Sequence, residues 1–371
     1  MDFDLTELQI LLLNSAEKFL EKEVKNLIRE IEKSDSGYSP ELWRKMAELG
    51  WLGIVFPEKY GGIEGDFTDL VLLVEEMGKA LFPGPFAATL ISGLAILEYG
   101  KEIQKDQFLP DLIAGNSLIA SALLLPDPAM GAITMDEKIV IKDDHFIISG
   151  TRLFVPFAHV ADWLLYSADT DQGPVILLID NKTPGITTTC MDSIGANKPC
   201  EIILEDVVVP ISSLLGEMGQ GTRIVNKLQS WGALTESAYI TGMLEQVVKM
   251  TVEYAKEREQ FEKKIGTFQA IQHKCSDMIT DVDQSKLLTY EAAWKLSHKM
   301  PATIDISMAK SWASDASRRV SFMGVMLHGG NGVSEEYDMQ LYFRRAKSSE
   351  VTFGDGDFHR EIIAQELGLQ G

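Results

Sequence analysis

Apolar residues recur at helical spacing through the opening stretch of the chain. Leu5, Leu8, Leu11, Leu12, Phe19 and Leu20 predict an amphipathic helix there. The stretch SPELWRKMAELG predicts another, with Ser39 as N-cap, Pro40 at the first helical position and Gly50 at its end. PEKYGG interrupts the pattern and DFTDLVLLVEEMGKAL resumes it. From residue 118 the period changes. SLIASALLLP, EKIVIKDDHFIISGTRLFVPF, DWLLYSA, PVILLID, GITTTC and CEIILEDVVVP are short and β-rich, divided by Gly, Asp, Asn and Pro. From residue 219 helical spacing returns in AYITGMLEQVVKMTVEYAKEREQF, FQAIQHKCSDMITDVDQSKLLTYEAAWKLSH and TIDISMAKSWASDASRRVSFMGVML. These three predicted helices form a four-helix bundle when the last segment joins them.

The expected organisation is an N-terminal α-helical domain at 1–117, a middle β-domain at 118–218 and a C-terminal helical bundle domain at 219–371. The fold class is α+β, with the middle domain a small antiparallel β-barrel or sandwich. A strand module between two helical modules is not the alternation of a Rossmann fold.

Composition narrows the partners. A formal charge of −21 argues against nucleic acid or an anionic membrane as the main partner, but a local basic patch still permits an anionic small ligand. No apolar stretch reaches the roughly 20 residues that span a bilayer. MDFDLTELQ is acidic and leads into a helix rather than a secretory leader, so the expectation is a cytoplasmic protein without membrane insertion. Cys190, Cys200 and Cys275, with His145, His159, His273, His298, His328 and His359, show no metal-ligand spacing. The expectation is therefore free thiols and no metal. A GxSxG elbow is absent, which removes the usual hydrolase reading.

Several motifs stand in a telling order. They are ELWRKMAELGWLGIVFPEKYGG, VVVPISSLLGEMGQG, YAKEREQFEKKIGTFQAIQHKCSDM, and LHGGNG followed by YFRRAK. In this order they resemble the acyl-CoA dehydrogenase family across nearly the whole chain. The resemblance implies FAD as cofactor and α,β-dehydrogenation of an acyl-CoA thioester. A carboxylate removes the α proton, and a hydride passes from the β carbon to flavin N5. It further implies an electron-transfer flavoprotein or similar acceptor, and a homo-oligomer or a hetero-oligomer with another family member.

The resemblance assigns residues one by one. Arg258, Gln260 and Phe261 match the stretch that reaches the FAD pyrophosphate and ring; an arginine suits pyrophosphate through charge-assisted bonds. Phe268 and Gln269 match a pair that packs on the cofactor. Gly329, Gly330 and Gly332 match glycines that let backbone approach the nucleotide. Phe154 is placed to stack on the flavin, and Gly354 lets the backbone approach it. Asp355 and Asp357 either touch flavin or cap the next helix.

The departures are equally specific. Phe353 stands where the family usually carries its catalytic Glu, and would present an apolar face to the acyl chain. Gly232 stands where other members carry the base instead. Leu124-Leu125-Pro126 and Phe154-Val155-Pro156 replace the family's Thr-Glu-Pro and Trp-Ile-Thr, and Pro156 has neither hydroxyl nor N–H to offer flavin. Met326, Ala233 and Arg345 also depart from the pattern. Glu236, one turn beyond Gly232, is either the replacement base, with a burial-raised pKa, or a surface helix glutamate. This set resembles the smaller subunits of heteromeric acyl-CoA dehydrogenases. Two further readings therefore stay open: a non-catalytic subunit that completes a partner's site, and a different acyl-CoA thioester reaction on the same scaffold.

Overall fold

The structure is a computed structural model that describes residues 5–123 and 134–369. The leading helices are α1 (Glu7–Phe19), α2 (Ile28–Lys33), α3 (Pro40–Glu48), α4 (Phe67–Lys79), α5 (Phe86–Tyr99) and α6 (Glu102–Ile113). Their starts follow from local hydrogen bonding. Thr6 accepts from the Gln9 backbone N–H while the Gln9 side chain returns to Thr6. Asp66 accepts from both Thr68 and Asp69 at the head of α4. Ser39 caps α3 ahead of Pro40, and Gly50 turns the chain out at φ 77°, as the sequence predicts.

The middle segment holds β1 (Ile119–Ala122), β2 (Thr134–Lys142), β3 (His145–Pro156), β4 (Trp163–Thr170), β5 (Gly173–Asp180), β6 (Ile186–Cys190), β7 (Pro199–Pro210) and β8 (Leu214–Leu215). They form two sheets, ordered β1-β4-β5-β8 and β2-β3-β7-β6. Phe146 and Ile148 of β3, Ile202 and Leu204 of β7, Leu164 and Tyr166 of β4, and Leu177 and Ile179 of β5 share one buried core. Of the barrel or sandwich expected from the sequence, the arrangement is the open one, two packed sheets. Among the described residues no ladder joins one sheet to the other, and β1 pairs with β4 in parallel. At the end of the β3–β7 ladder Pro156 faces Pro199. Neither residue has an N–H to give the ladder, and the next bond beyond them runs from the Phe157 N–H to the Lys198 carbonyl at 3.0 Å.

One charged group sits inside this packing. Arg152 is 3% exposed. Its Nη2 donates to Glu137 Oε1 at 2.6 Å and to the Ser167 carbonyl at 2.8 Å. Tyr166 Oη donates to the same Glu137 oxygen at 2.9 Å, and the guanidinium lies 4.5 Å from the Tyr166 ring centroid.

The remaining elements are α7 (Gly221–Glu257), the short strands β9 (Glu259–Gln260) and β10 (Lys263–Lys264), α8 (Gln269–Ser297), α9 (Thr303–His328), α10 (Gly330–Val333), α11 (Met339–Val351) and α12 (Gly356–Glu366). Contacts divide the chain into two compact units. One comprises Met1–Ile28, Asp66–Phe82 and Ala233–Gly371; the other comprises Arg29–Gly65 and Pro83–Gly232. In the first unit α9 is central, with α8, α11 and α12 packed on it. Its inward face is rich in small residues, including Ala309, Ala313, Ala316 and Ser317, which lets neighbouring helices come close. Among the described residues no helix is long and apolar enough to cross a membrane.

Candidate active site

The turn between α11 and α12 carries Phe353, and two side chains, His359 and Lys310, hold it in place. Phe353 has φ 58°, a left-handed conformation costly for a bulky residue, and Gly354 follows at φ 90°. His359 is 1% exposed, and its Nε2–H donates to the Phe353 carbonyl at 2.9 Å. Its Nδ1 is left to accept from Ser307 Oγ at 3.3 Å. Burial pushes the His359 imidazole down to about 4, so the ring is neutral near neutral pH. Lys310 of α9 is completely buried, and its ammonium donates to the Gly354 carbonyl and to Ser314 Oγ, both at 2.7 Å. It also reaches the carbonyls of Glu350 at 3.1 Å and Ser349 at 3.4 Å.

Asp355 resolves one of the alternatives left by the sequence. Its Oδ1 accepts from the backbone of Asp357 and Phe358, so it is the N-cap of α12. Asp357 does not cap. Its side chain projects outward and pairs with Arg360 at 2.6 Å, because at the second helical position its own N–H already answers Asp355.

Glu236 lies on α7 and keeps partial exposure as a residue, yet its carboxyl group is enclosed. Burial raises its pKa, while a hydrogen bond from Ser349 and the charge of Lys310 oppose that rise. The same burial pulls the Lys310 ammonium down to about 8, against the charges of Glu236, Asp355 and Glu350. Glu236 is therefore not a solvated helix glutamate. It is tied through Ser349 and Lys310 to the turn that bears Phe353.

The residues expected at the nucleotide end lie together on another part of the same unit. Arg258 follows directly on α7 and is exposed. Gln260 ends β9, and Phe261 and Glu262 form the two-residue tip of the hairpin at φ 53° and 62°. Phe261 is 88% exposed, with its ring edge 6.3 Å from that of Phe268. Phe268 precedes α8 without a side-chain cap, and Gln269 opens that helix with its side chain in solvent. At the end of α9, Gly329 has φ 59° and ψ −135°, a region essentially reserved for glycine. A Cβ at Gly329 or Gly330 would meet nothing within 4 Å, whereas one at Gly332 would fall 2.5 Å from the Val325 carbonyl. Gly332 is thus required by packing on α9, while Gly329 and Gly330 present open backbone.

Phe154 belongs to the other unit. It sits where the β3–β7 register shifts between Arg152 and Val155, at φ 62°, and is 60% exposed. The bulge turns its ring out of the pleat. Leu124, Leu125 and Pro126 lie outside the described residues.

Lys310 and His359 were missed as site residues. The signal for Lys310 is present in ISMAKSWASDA, where one long cation falls on the small-residue face of the helix. His359 carries no comparable signal, since its role depends on the turn folding back beneath it.

A fit to FAD can be tested on these residues. An exposed arginine, a helix start without a side-chain cap, an exposed aromatic and two open glycines suit the diphosphate and adenosine half of such a molecule. Residues 6–116 match the profile of the acyl-CoA dehydrogenase N-terminal domain, and residues 219–368 that of the acyl-CoA dehydrogenase C-terminal domain. The chain is 32% identical to butyryl-CoA dehydrogenase from Megasphaera elsdenii, covering 100% of both chains at a TM-score of 0.91. It is 28% identical to PigA in its FAD complex, covering 100% of both chains at a TM-score of 0.92. A chain of the ChsE4-ChsE5 complex from Mycobacterium tuberculosis is likewise 28% identical, with 100% of both chains covered and a TM-score of 0.91. With both terminal profiles matched and full-length likeness to a solved relative, the chain belongs to the acyl-CoA dehydrogenase family.

Proposed function

We propose that this protein is an FAD-dependent oxidoreductase that dehydrogenates an acyl-CoA thioester between Cα and Cβ, with Glu236 as the base. The observation that carries the assignment is the enclosed Glu236 carboxyl, joined to the Phe353 turn while Phe353 and Gly232 leave the usual positions without a base. Arg258, Gln260, Phe261, Phe268, Gln269, Gly329 and Gly330 would hold FAD, which supplies the hydride acceptor when bound. Phe154, in the other unit, is a candidate flavin contact on the family resemblance alone. Enclosure makes Glu236 a stronger base than a solvated carboxylate, and Ser349 with Lys310 keeps its anion tenable. Phe353, braced by His359 and Lys310, would present an apolar wall to the acyl chain and help exclude water.

An oligomer fits the surface. Phe261 is 88% exposed, Met326 59% and Val333 67%, and such apolar groups call for cover by a second chain. That chain is a second copy or, as in the ChsE4-ChsE5 complex, a related family member. An electron-transfer flavoprotein or similar acceptor would reoxidise the enzyme.

The test is anaerobic bleaching of the bound flavin by a panel of acyl-CoA thioesters. Glu236→Gln is expected to abolish bleaching with flavin content intact. Bleaching at the wild-type rate would remove Glu236 as base. The base would then lie elsewhere in the chain; a wild type that binds flavin but is not bleached without a partner would instead favour the second reading, a subunit whose base comes from that partner.

A further inference from the structure

Three donors that are far apart in sequence converge in the β-domain unit. Cys190 ends β6, Cys200 is the second residue of β7, and His159 lies in the turn Ala158–Val160 after β3. Cys190 Sγ is 3.5 Å from Cys200 Sγ, and Cys200 Sγ is 3.4 Å from His159 Nδ1. One ligand atom from each of the three lies within 4.8 Å of the others. A tetrahedral zinc ion with Zn–S near ~2.3 Å and Zn–N near ~2.0 Å needs edges of about 3.5–3.8 Å between its donors. The two printed separations come close to these before any ion is added.

The imidazole is already in the right tautomer. His159 Nε2 lies 2.9 Å from the Asp35 carbonyl, which can only accept, so Nε2 carries the proton. Nδ1 is then bare and faces the sulfur pair. This is the outer bond that orients metal-ligating histidines. The sulfurs are also brought together by register. Cys190 and Cys200 are direct cross-strand partners, and the adjacent Met191–Pro199 pair carries the ladder hydrogen bond. That makes the cysteines a non-hydrogen-bonded pair, in which side chains stand closest. Cys200 is fully buried and Cys190 is exposed, so the cluster opens to solvent on one side only.

We propose that His159, Cys190 and Cys200 form a zinc site with three protein donors and a fourth position open to water. Binding replaces two S–H bonds by two S–metal bonds and should release about two protons per ion, with no change of oxidation state. Because the ion must displace the thiol protons, affinity should rise with pH. The ion would join β6, β7 and the turn after β3 and, through the Asp35 carbonyl, the segment ahead of α3. The sequence expectation of no metal rested on spacing along the chain, and these donors come from three separate elements.

The experiment uses full-length protein, reduced and stripped with a chelator, then titrated with Co2+ under argon. Expected are one bound equivalent, a near-ultraviolet thiolate-to-cobalt band, and its loss on adding Zn2+. Cys190→Ser changes an exposed side chain and should leave folding and flavin content unchanged. It should weaken cobalt binding by more than ~10-fold and remove most of the band. Cys275→Ser should leave the band intact. No band, or a band that survives in Cys190→Ser, overturns the site. So does a reduced protein that takes no cobalt while glutathione disulfide readily consumes two thiols, for the pair would then be a redox couple.

Discussion

Lys310→Met isolates the device that fixes the Phe353 turn. The substitution keeps most of the stem and removes three well-formed bonds, to Gly354, Ser314 and Glu350. Bonds from a charged donor are worth about 1.5–3 kcal/mol each, so the gross loss is about 4.5–9 kcal/mol. Against this stands the cost of burying the ammonium. Burial holds its pKa down at about 8 rather than 10.5, a penalty on the order of 3 kcal/mol. The net loss is then about 1–6 kcal/mol, and the midpoint of about 3 is the expected value. Urea titration of the flavin-loaded protein, with the slope held in common, would measure it. The double variant Glu236→Gln/Lys310→Met should be less destabilised than the sum of its parts, by more than ~0.5 kcal/mol, because neutral Gln needs no counter-charge. A single-variant loss below ~1 kcal/mol, or strict additivity, would refute the bracing argument.

Further expectations can be checked in parallel. Arg258→Ala should weaken FAD binding by about 1.5–3 kcal/mol, read by fluorescence titration, if a charge-assisted bond is lost. His359 has a folded pKa of about 4 against 6.5 unfolded, so its contribution is present above 6.5 and lost as pH falls towards 4. Over that window it should amount to about 3 kcal/mol. It is best read as the difference between wild type and His359→Gln, since the raised pKa of Glu236 acts in the opposite sense. Light scattering should give a dimer or tetramer, and a monomer at micromolar concentration would contradict the proposed cover for Phe261 and Met326.

Much of the fold is legible in local pattern. Ser39, Pro40 and Gly50 mark α3 because capping chemistry is a short-range matter. The strand segments announce themselves by alternation and turn residues, but a barrel and two packed sheets share that alternation. Only long-range pairing, such as β1 alongside β4, separates them. The site follows the same division. Arg258, Phe261 and the glycines are candidates supplied by contiguous motifs. The enclosure of Glu236 was one of two readings, because it depends on Ser349 and Lys310 arriving from α11 and α9. Asp355 as a cap was legible; the outward turn of Asp357 was not, since both are acidic residues at the head of one helix.

The Arg152–Glu137–Tyr166 group has a consequence for how this sequence can change over time. The guanidinium is buried, and one Glu137 oxygen receives both Arg152 and Tyr166. Loss of Glu137 alone strands a cation between the sheets, and loss of Arg152 alone strands an anion. Either single step costs about 3–5 kcal/mol, while replacing the group together with apolar residues is close to neutral. Three positions separated along the chain are therefore bound into one heritable unit. Substitutions at any one of them should be purged unless the others have already changed, and lineages that lost the arginine should have lost the glutamate with it.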